Sequence, residues 1–539
     1  MTSTVTITDP VPRDALGARE IGFFVPERYN ASAILFDNLI AGRGDRVAVL
    51  GPAGSRTYSE LTADACRFGT ALLSLGAQRG DRVLLFLDDT PAYPAALFGA
   101  MRAGLVPLLI NTLTPPDLLQ FYLADSGANI AIADAAFAGR FDATACRGTQ
   151  LHTLIVLDGE SSSTSAVQTR SAAEWLSRPT PLLGAAGTHR DDMAFWMYSS
   201  GSTGRPKGIV HLQHDMAYTH WSYGRHLLAL TEDDICFSVP KIFFAYGLGN
   251  SVTFPFSVGA SSVLLPGQPK PAAILEAVAR HRPTVFFGLP TLYTALTKSP
   301  DAGAADLSSL RLAVSAAEVL SADVFNAWKA ISGLEIMEGL GSTEVLHIYL
   351  SNTPQEKRLG AAGKRVRGYE LKLTDADDRE VADGEEGVLW VRGGSNAPYY
   401  WNRPDKTAET MRAGGWIYTG DRFVRDAEGF HFFRGRADDL VKVSGQWVYP
   451  LEVELCLADH PSVRECAVLA VEQTNGLTAL KAFVVLADLA EGSEDTTRAL
   501  QDFVKGRLLP YKYPRLVAYL AELPKTGTGK IDRQALRNG

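Results

Sequence analysis

The sequence has few cysteines and no long hydrophobic run, and each absence excludes a class of protein. Only five cysteines occur among 539 residues, and no two of them form a C-x-x-C pair, so neither a zinc knuckle nor a dithiol redox site is expected. Their odd number and wide spacing are typical of free thiols in a reducing compartment. The most apolar stretch, 95–110, is interrupted by Arg102, Gly104 and Pro107 and is too short to span a bilayer.

Signals for export and for nucleic-acid binding are also missing. The first residues lack a basic start followed by an apolar stretch, so we expect no signal peptide and a cytoplasmic location. A net charge of −8 gives no reason to expect nucleic-acid binding, although a local basic site for a small polyanion is compatible with it. With 46% hydrophobic and 21% charged residues, the chain has the composition of a globular protein, and its length allows several domains.

The first third of the chain alternates between helical and strand-like patterns. Apolar spacing predicts helices over 61–76, 95–103 and 118–126, and buried strands over 82–87, 105–110 and 130–133. Such alternation favours a layered α/β architecture with parallel strands. The Ser/Thr-rich stretch 159–171 is predicted to be an exposed loop.

A domain boundary is predicted near residues 436–439. Short strand signals with Gly-rich turns precede it over 384–433, and a small α/β module follows it, with strands over 463–471 and 481–486 and a helix over 500–508. We therefore expect a large N-terminal layered α/β domain, 1–436, and a small mobile C-terminal α/β domain, 437–539. Ligand sites often lie at such domain interfaces.

The segment YSSGSTGRPKG, 198–208, is the most informative part of the sequence. Its glycines allow backbone N–H groups to converge on an anion, its hydroxyls can donate to phosphate oxygens, and Arg205 and Lys207 add positive charge. A Walker loop is excluded, because that motif needs a lysine followed by Ser or Thr and then a helix, whereas strand-like segments flank this loop. A mobile linker is the remaining alternative, but linkers rarely contain so many groups that can donate hydrogen bonds to phosphate.

This loop resembles the signature of adenylate-forming enzymes, which include acyl- and aryl-CoA synthetases, adenylation domains of nonribosomal peptide synthesis and beetle luciferases. Further motifs follow in that family's order along nearly the whole chain: GLGSTE at 339–344, TGD at 419–421, GRADDLVKVSG at 435–445 and LPKTGTGKIDR at 523–533. The resemblance implies that a carboxylic acid is activated by ATP to acyl-AMP and then transferred to the thiol of coenzyme A.

The resemblance also implies roles for individual residues. Lys530, Thr343, Glu344 and Lys207 are the expected catalytic groups, and Glu344 and Thr203 the expected Mg²⁺ ligands. Leu340 is a departure, since the family often has an aromatic residue there to stack on adenine. The residues expected to bind ATP are Ser199, Ser200, Gly201, Ser202, Thr203, Gly204, Lys207, Ala317, Glu318, Gly339, Leu340, Gly341, Ser342, Thr343, Asp421, Arg436 and Lys530.

Thioester formation is expected to use the same cleft after the small domain rotates. By resemblance, Asp438 is the hinge, Gly445 lines the tunnel for the pantetheine arm, and Trp447 lies on the coenzyme A side. Several relatives carry arginine at the position of Trp447, and an aromatic residue there favours the aryl-CoA ligase branch.

Two segments, 241–250 and 342–350, are expected to form the acyl pocket and are similar to those of benzoate–CoA ligases. The expected lining residues are Phe244, Ala245, Tyr246, Leu248, Gly341, His347 and Ile348. The first segment has no aspartate of the kind that holds an amino acid in related enzymes. We therefore predict benzoate, a hydroxybenzoate or an aminobenzoate as the substrate.

Four alternatives remain open at this point. The chain could be a ligase for another small carboxylic acid. The acyl group could be loaded onto a carrier protein, although the sequence ends nine residues after Lys530 without a carrier domain. The chain could also be a non-catalytic nucleotide-binding scaffold, or in principle a luciferase-type oxygenase. We expect neither nucleic acid nor membrane as a partner, and both a monomer and a homodimer are compatible with the sequence.

Overall fold

The computed structural model describes residues 17–158, 167–199, 206–318, 320–437, 441–443, 446–472, 478–487, 492–525 and 531–538. The strands are β1 (Val47–Leu50), β2 (Arg56–Thr57), β3 (Arg82–Phe86), β4 (Val106–Leu109), β5 (Ile130–Asp134), β6 (Thr153–Leu157), β7 (Gln168–Ser171), β8 (Met193–Ser199), β9 (Lys207–Leu212), β10 (Ile235–Ser238), β11 (Ser261–Val263), β12 (Val285–Gly288), β13 (Leu312–Ala316), β14 (Ile336–Gly341), β15 (Ile348–Ser351), β16 (Lys364–Arg365), β17 (Glu370–Thr374), β18 (Glu386–Arg392), β19 (Met411–Arg412), β20 (Trp416–Arg425), β21 (His431–Arg436), β22 (Val441–Val443), β23 (Gln446–Val448), β24 (Val463–Glu472), β25 (Thr478–Leu486) and β26 (Leu516–Tyr519).

The α-helices are α1 (Ala18–Ile21), α2 (Ala33–Ile40), α3 (Tyr58–Ser74), α4 (Ala92–Arg102), α5 (Pro116–Ser126), α6 (Ala135–Ala138), α7 (Ala173–Leu176), α8 (Asp215–Thr219), α9 (Ala245–Leu248), α10 (Phe254–Val258), α11 (Pro271–His281), α12 (Pro290–Thr297), α13 (Ala322–Ser332), α14 (Pro404–Thr410), α15 (Pro450–Ala458), α16 (Glu494–Lys505) and α17 (Arg533–Asn538). Two π-helical turns, His220–Arg225 and Gly249–Thr253, follow α8 and α9. No helix among the described residues is long and apolar enough to cross a membrane.

Two large sheets form the N-terminal part of the molecule. One has the order β7-β6-β5-β3-β4-β8-β9, and its neighbours run parallel except at the β8–β9 hairpin. The other has the order β16-β15-β14-β13-β12-β10-β11-β1-β2, with parallel pairing from β14 to β1. Helices α3 and α4 share one buried apolar cluster with strands of both sheets, so they pack between them. The predicted layered α/β class is confirmed.

The smaller sheets follow in the second half of the chain. Antiparallel strands β17, β18, β20, β19 and β21 form one sheet. The strand signals over 384–433 predict these strands except β17, which precedes that region. Strands β24, β25 and β26 form the sheet of the smaller C-terminal domain, where α15 and α16 pack against a separate core. A large N-terminal domain and a smaller C-terminal α/β domain are thus both present.

Element bounds differ from the predicted ones where local capping decides them. Helix α3 begins at Tyr58, three residues earlier than expected, because Thr57 and Glu60 form a reciprocal capping box. Helix α16 begins at Glu494 rather than at 500, since the Ser493 side chain accepts the backbone N–H of Thr496. The prediction of an exposed loop over 159–171 is wrong for the last four residues, which form the edge strand β7 beside β6.

Candidate functional site

A deep cleft lies at the carboxyl ends of β12, β13 and β14, and residues of the C-terminal domain close its other side. Ligands in α/β proteins commonly bind at this end of a parallel sheet. The described residues that are expected to bind ATP, to act in catalysis or to line the acyl pocket all border this cleft, with the exception of Leu248. The tertiary structure therefore brings together segments that are separated by more than two hundred positions in the sequence.

The YSSGSTGRPKG segment, 198–208, which we call the phosphate-loop motif, contains the connection between β8 and β9. Ser199 and Lys207 are the register partners next to the connecting loop, and both line the cleft. The hydroxyl of Tyr198 donates to Asp125 Oδ2 at 3.0 Å, and this bond ties the loop end of the hairpin to α5. The predicted contacts Ser200, Gly201, Ser202, Thr203 and Gly204 lie outside the described residues.

The GLGSTE segment, 339–344, which we call the adenine motif, forms the end of β14 and the turn after it. Gly341 must be glycine, because a Cβ atom there would lie 2.5 Å from the carbonyl oxygen of His347. Ser342 Oγ is buried and makes no hydrogen bond with any described residue, so it is a donor available to a ligand. On the neighbouring strand end, Ala317 has a φ of +75° and, with Glu318, lines the cleft. A non-glycine residue in this region of φ is uncommon and is often found at a functional site.

Thr343 is held through its backbone by a buried histidine. His211 Nε2 donates to the Thr343 carbonyl oxygen at 2.8 Å, and His211 Nδ1 lies 2.9 Å from Asp215 Oδ2. The Leu212 backbone N–H also donates to that carboxylate at 2.9 Å. His211 and Asp215 are fully buried, so β9 and α8 fix the position of the turn that carries Thr343 and Glu344.

Glu344 presents its carboxylate to the cleft. Its Oε1 accepts a hydrogen bond of 2.8 Å from the hydroxyl of Tyr400, and its carbonyl oxygen accepts one of 2.7 Å from the Ala397 backbone. The Lys207 ammonium lies 4.3 Å from the centroid of the Tyr400 ring. Within the described chain no group of three or more His, Cys, Asp or Glu residues could hold a metal ion by itself. A single carboxylate in a cleft that the Lys207 ammonium also borders is compatible with Mg²⁺, which usually takes one or two carboxylates together with phosphate oxygens and water.

Asp421 and Arg436, two of the residues expected to bind ATP, are neighbours in an antiparallel pair. Asp421 on β20 is the register partner of Arg436 on β21, and Asp421 Oδ1 lies 3.1 Å from Arg436 Nη1. The Asp421 backbone N–H donates to Thr419 Oγ1 at 3.0 Å, which holds the turn. This pair presents a carboxylate and a guanidinium to the same side of the cleft.

Glu338 also borders the cleft, and the sequence did not single it out. It lies on β14 directly before the adenine motif, where burial raises the pKa of its carboxyl to about 8. The carboxyl is therefore mostly protonated at neutral pH, and its Oε1 accepts the Leu320 backbone N–H at 3.3 Å. A glutamate on a strand gives no sequence signal of this kind, because its burial depends on tertiary packing.

The predicted acyl-pocket residues lie mostly where the sequence places them. Phe244, Ala245, Tyr246, Gly341, His347 and Ile348 line the cleft. Leu248 is the exception: it is fully buried in the core between the two large sheets and does not line the cleft. One helical turn separates it from Phe244, and its side chain points from α9 into that core.

His347 is enclosed by aromatic rings. The ring centroids of Tyr223, Tyr246 and Phe254 lie 5.2, 5.7 and 4.5 Å from that of His347. Burial lowers the pKa of the imidazole to about 3, so the side chain is neutral at physiological pH. A neutral imidazole among aromatic rings suits an aromatic ligand that carries no positive charge.

The remaining predicted residues belong to the C-terminal motifs. Lys530, Asp438 and Gly445 lie outside the described residues, and for Trp447 the structure describes the backbone of β23 but not the side chain. Lys525 and Ile531, on either side of the segment that contains Lys530, form an antiparallel bridge and border the cleft.

Comparison with protein families identifies the chain. The model described as "AMP-binding enzyme" matches residues 36–401, and the model "AMP-binding enzyme C-terminal domain" matches residues 452–530. The chain belongs to the AMP-binding enzyme family. The two matches fall on the large N-terminal and the smaller C-terminal domain of this AMP-binding enzyme, and the predicted resemblance to adenylate-forming enzymes is confirmed.

Curated and solved relatives resemble this AMP-binding enzyme along nearly its whole length. A benzoate–CoA ligase of Thauera aromatica is 42% identical over 95% of this chain and 97% of its own. A 4-hydroxybenzoate–CoA/benzoate–CoA ligase of Rhodopseudomonas palustris is 40% identical over 94% of each chain. The crystal structure of an anthranilate CoA ligase, AuaEII, in complex with anthranoyl-AMP has a TM-score of 0.89 at 38% identity and covers 95% of this chain and 98% of that one.

Proposed function

We propose that this AMP-binding enzyme is an ATP-dependent aryl-CoA ligase. It activates benzoate, or a hydroxy- or amino-substituted benzoate, to aryl-AMP with release of pyrophosphate, and then transfers the aroyl group to coenzyme A. Its relatives that are named as benzoate, hydroxybenzoate and anthranilate CoA ligases support this assignment over nearly the full chain.

The observation that carries the proposal is the pocket around His347. Phe244, Tyr246 and Ile348 give it apolar and aromatic walls, and Gly341 connects it to the turn that carries Thr343. None of the side chains predicted to line it is charged at neutral pH, because the pKa of His347 is lowered to about 3. Such a pocket suits an aromatic ring whose carboxylate extends toward the phosphate-loop motif.

In the first step, the substrate carboxylate attacks the α-phosphorus of ATP and pyrophosphate leaves. Negative charge concentrates on the α-phosphoryl oxygens, so fixed donors and cations accelerate the step. Lys207, Thr343 and Lys530 are the proposed donors and cations of this chain. Glu344 is the proposed protein ligand of Mg²⁺, together with Thr203, and the bound ion would offset charge on the phosphates.

In the second step, the thiol of coenzyme A attacks the mixed anhydride and AMP leaves. We infer that the smaller domain, taken as residues 437–539, rotates about Asp438, so that Lys530 leaves the cleft while Gly445 and Trp447 approach it. The positions of Lys525 and Ile531 at the border of the cleft support the placement of Lys530 there before the rotation.

The test is AMP formation from ATP by the purified chain, with and without coenzyme A. The acids are benzoate, its hydroxy and amino isomers, cyclohexanecarboxylate, octanoate and phenylalanine. We expect turnover that depends on coenzyme A and is confined to the benzoates. Adenylation without such dependence indicates a carrier protein as acceptor, and octanoate or phenylalanine as the preferred acid refutes the aryl assignment.

A further inference from the structure

Tyr400 is a buried residue of the cleft to which the proposed mechanism gives no role. Its backbone forms an antiparallel bridge with Ile209 of β9, and its N–H donates to Thr407 Oγ1 at 3.0 Å. Only 2% of the residue is exposed, yet its side chain borders the cleft. The ring is therefore fixed against the strand that begins at Lys207.

The hydroxyl of Tyr400 binds the carboxylate of Glu344. The bond to Oε1 is 2.8 Å long, and the Ala397 backbone holds the Glu344 carbonyl oxygen at 2.7 Å. In the described part of the chain, no basic group lies within 4.0 Å of this carboxylate. The neutral Tyr400 hydroxyl thus orients Glu344 without cancelling its negative charge. A carboxylate must keep that charge in order to bind a cation.

The face of the same ring supports a cation. Lys207 Nζ lies 4.3 Å from the ring centroid, and no acidic group of the described residues lies within 4.0 Å of it. A cation–π contact attracts the ammonium but leaves its full charge for phosphate oxygens. If Lys207 and Glu344 instead paired with each other, that ion pair would have to break before Mg·ATP could bind.

We propose that Tyr400 is a positioning residue that holds the Glu344 carboxylate and the Lys207 ammonium ready for Mg·ATP and keeps them from neutralising each other. This role rests on the proposed function, because it takes Glu344 as the protein ligand of Mg²⁺ and Lys207 as a phosphate contact. Tyr400 does not itself touch the reacting atoms.

The test measures nucleotide binding rather than turnover. The probe is α,β-methylene-ATP, whose carbon bridge prevents loss of pyrophosphate, titrated calorimetrically into the full chain in excess Mg²⁺ and again in excess chelator. Tyr400→Phe removes the bond to Glu344 and keeps the ring under Lys207. We expect its affinity to fall about tenfold in Mg²⁺, as for loss of a hydrogen bond to a charged group, and to be unchanged in chelator.

Three further variants separate positioning from a structural effect. Glu344→Gln should lose the Mg²⁺-dependent part of the affinity, and Tyr400→Phe combined with Glu344→Gln should lose no more, because both changes act on one interaction. Tyr58→Phe is the matched control: its hydroxyl also makes a buried hydrogen bond, at 2.6 Å to the Ala260 carbonyl oxygen, but in the core between the sheets. It should bind the probe like the unmodified chain in both conditions.

The outcomes separate this proposal from the proposed function. Any of three outcomes would show that Tyr400 has no positioning role. Tyr400→Phe could bind the probe in Mg²⁺ as tightly as the unmodified chain, or it could lose as much affinity in chelator as in Mg²⁺. In the third, the double variant loses the sum of the affinity losses of Tyr400→Phe and Glu344→Gln. Absence of Mg²⁺-dependent binding by the unmodified chain overturns both proposals. Normal binding of the probe, with no activity on any benzoate, overturns the aryl-CoA ligase assignment alone.

Discussion

The substitution Gly249→Ala tests the placement of His347 in the acyl pocket. Gly249 has φ −58° and ψ −53°, a conformation that alanine adopts readily, so the backbone does not oppose the change. A Cβ atom there would lie 2.3 Å from His347 Cδ2 and 2.6 Å from Nε2. Ordinary contact distances require the imidazole to move by about 1 Å.

The direction of that movement follows from the neighbours of the imidazole. Tyr223, Tyr246 and Phe254 surround it, so the cleft is the side on which it can yield. Overpacking of this kind costs about 1–3 kcal/mol, and a misplacement of about 1 Å in an active site can cost on the order of 100-fold in rate. We therefore expect kcat/KM for benzoate to fall by about 100-fold, with unchanged affinity for Mg·ATP.

The assay is the initial rate of AMP formation at varied benzoate and saturating ATP and coenzyme A. Gly139→Ala is the matched control, because a Cβ atom at Gly139 meets nothing within 4 Å. Adding His347→Ala to Gly249→Ala should remove the clash and restore the rate to that of His347→Ala alone. The reasoning is refuted if Gly249→Ala retains full activity, or if the double variant is clearly less active than His347→Ala alone.

Three other predictions concern the catalytic lysine, a buried pair and a buried acid. Lys530→Ala should slow adenylation by about 100- to 1000-fold yet spare thioester formation from supplied aryl-AMP, measured as separate half-reactions; equal losses would contradict its role. His211→Leu should lower the free energy of unfolding by about 3 kcal/mol in urea, because Thr343 and Asp215 lose a buried partner; an unchanged transition would contradict this. The pKa of Glu338 is raised to about 8, so the stability that its protonation contributes is fully present below pH 4.5 and is lost as pH rises through 8. Glutamine does not titrate, so the melting temperature of Glu338→Gln should rise relative to that of the unmodified chain between pH 5 and pH 8. A constant difference between the two melting temperatures would refute this.

Motif order allowed the family and the fold class to be predicted, and the described residues of the predicted nucleotide site border one cleft. The β8–β9 hairpin and the turn after β14 depend on short apolar runs with glycines beside them, which the sequence displays directly. Helix starts were less predictable, since a capping side chain such as Ser493 acts before the apolar pattern begins. Leu248 was predicted as a pocket residue because spacing alone does not distinguish the cleft side of a short helix from its core side.

The sequence by itself determined which chemical groups are present and in what order: a phosphate loop, an acidic turn at Glu344 and a C-terminal lysine motif. Only the tertiary structure decided how these groups are held. Tyr400 meets Glu344 across 56 positions, and His211 meets Thr343 across 132. The raised pKa of Glu338 and the lowered pKa of His347 also arise from burial by distant segments. Desolvation and long-range hydrogen bonds depend on neighbours in space, which a linear pattern does not specify.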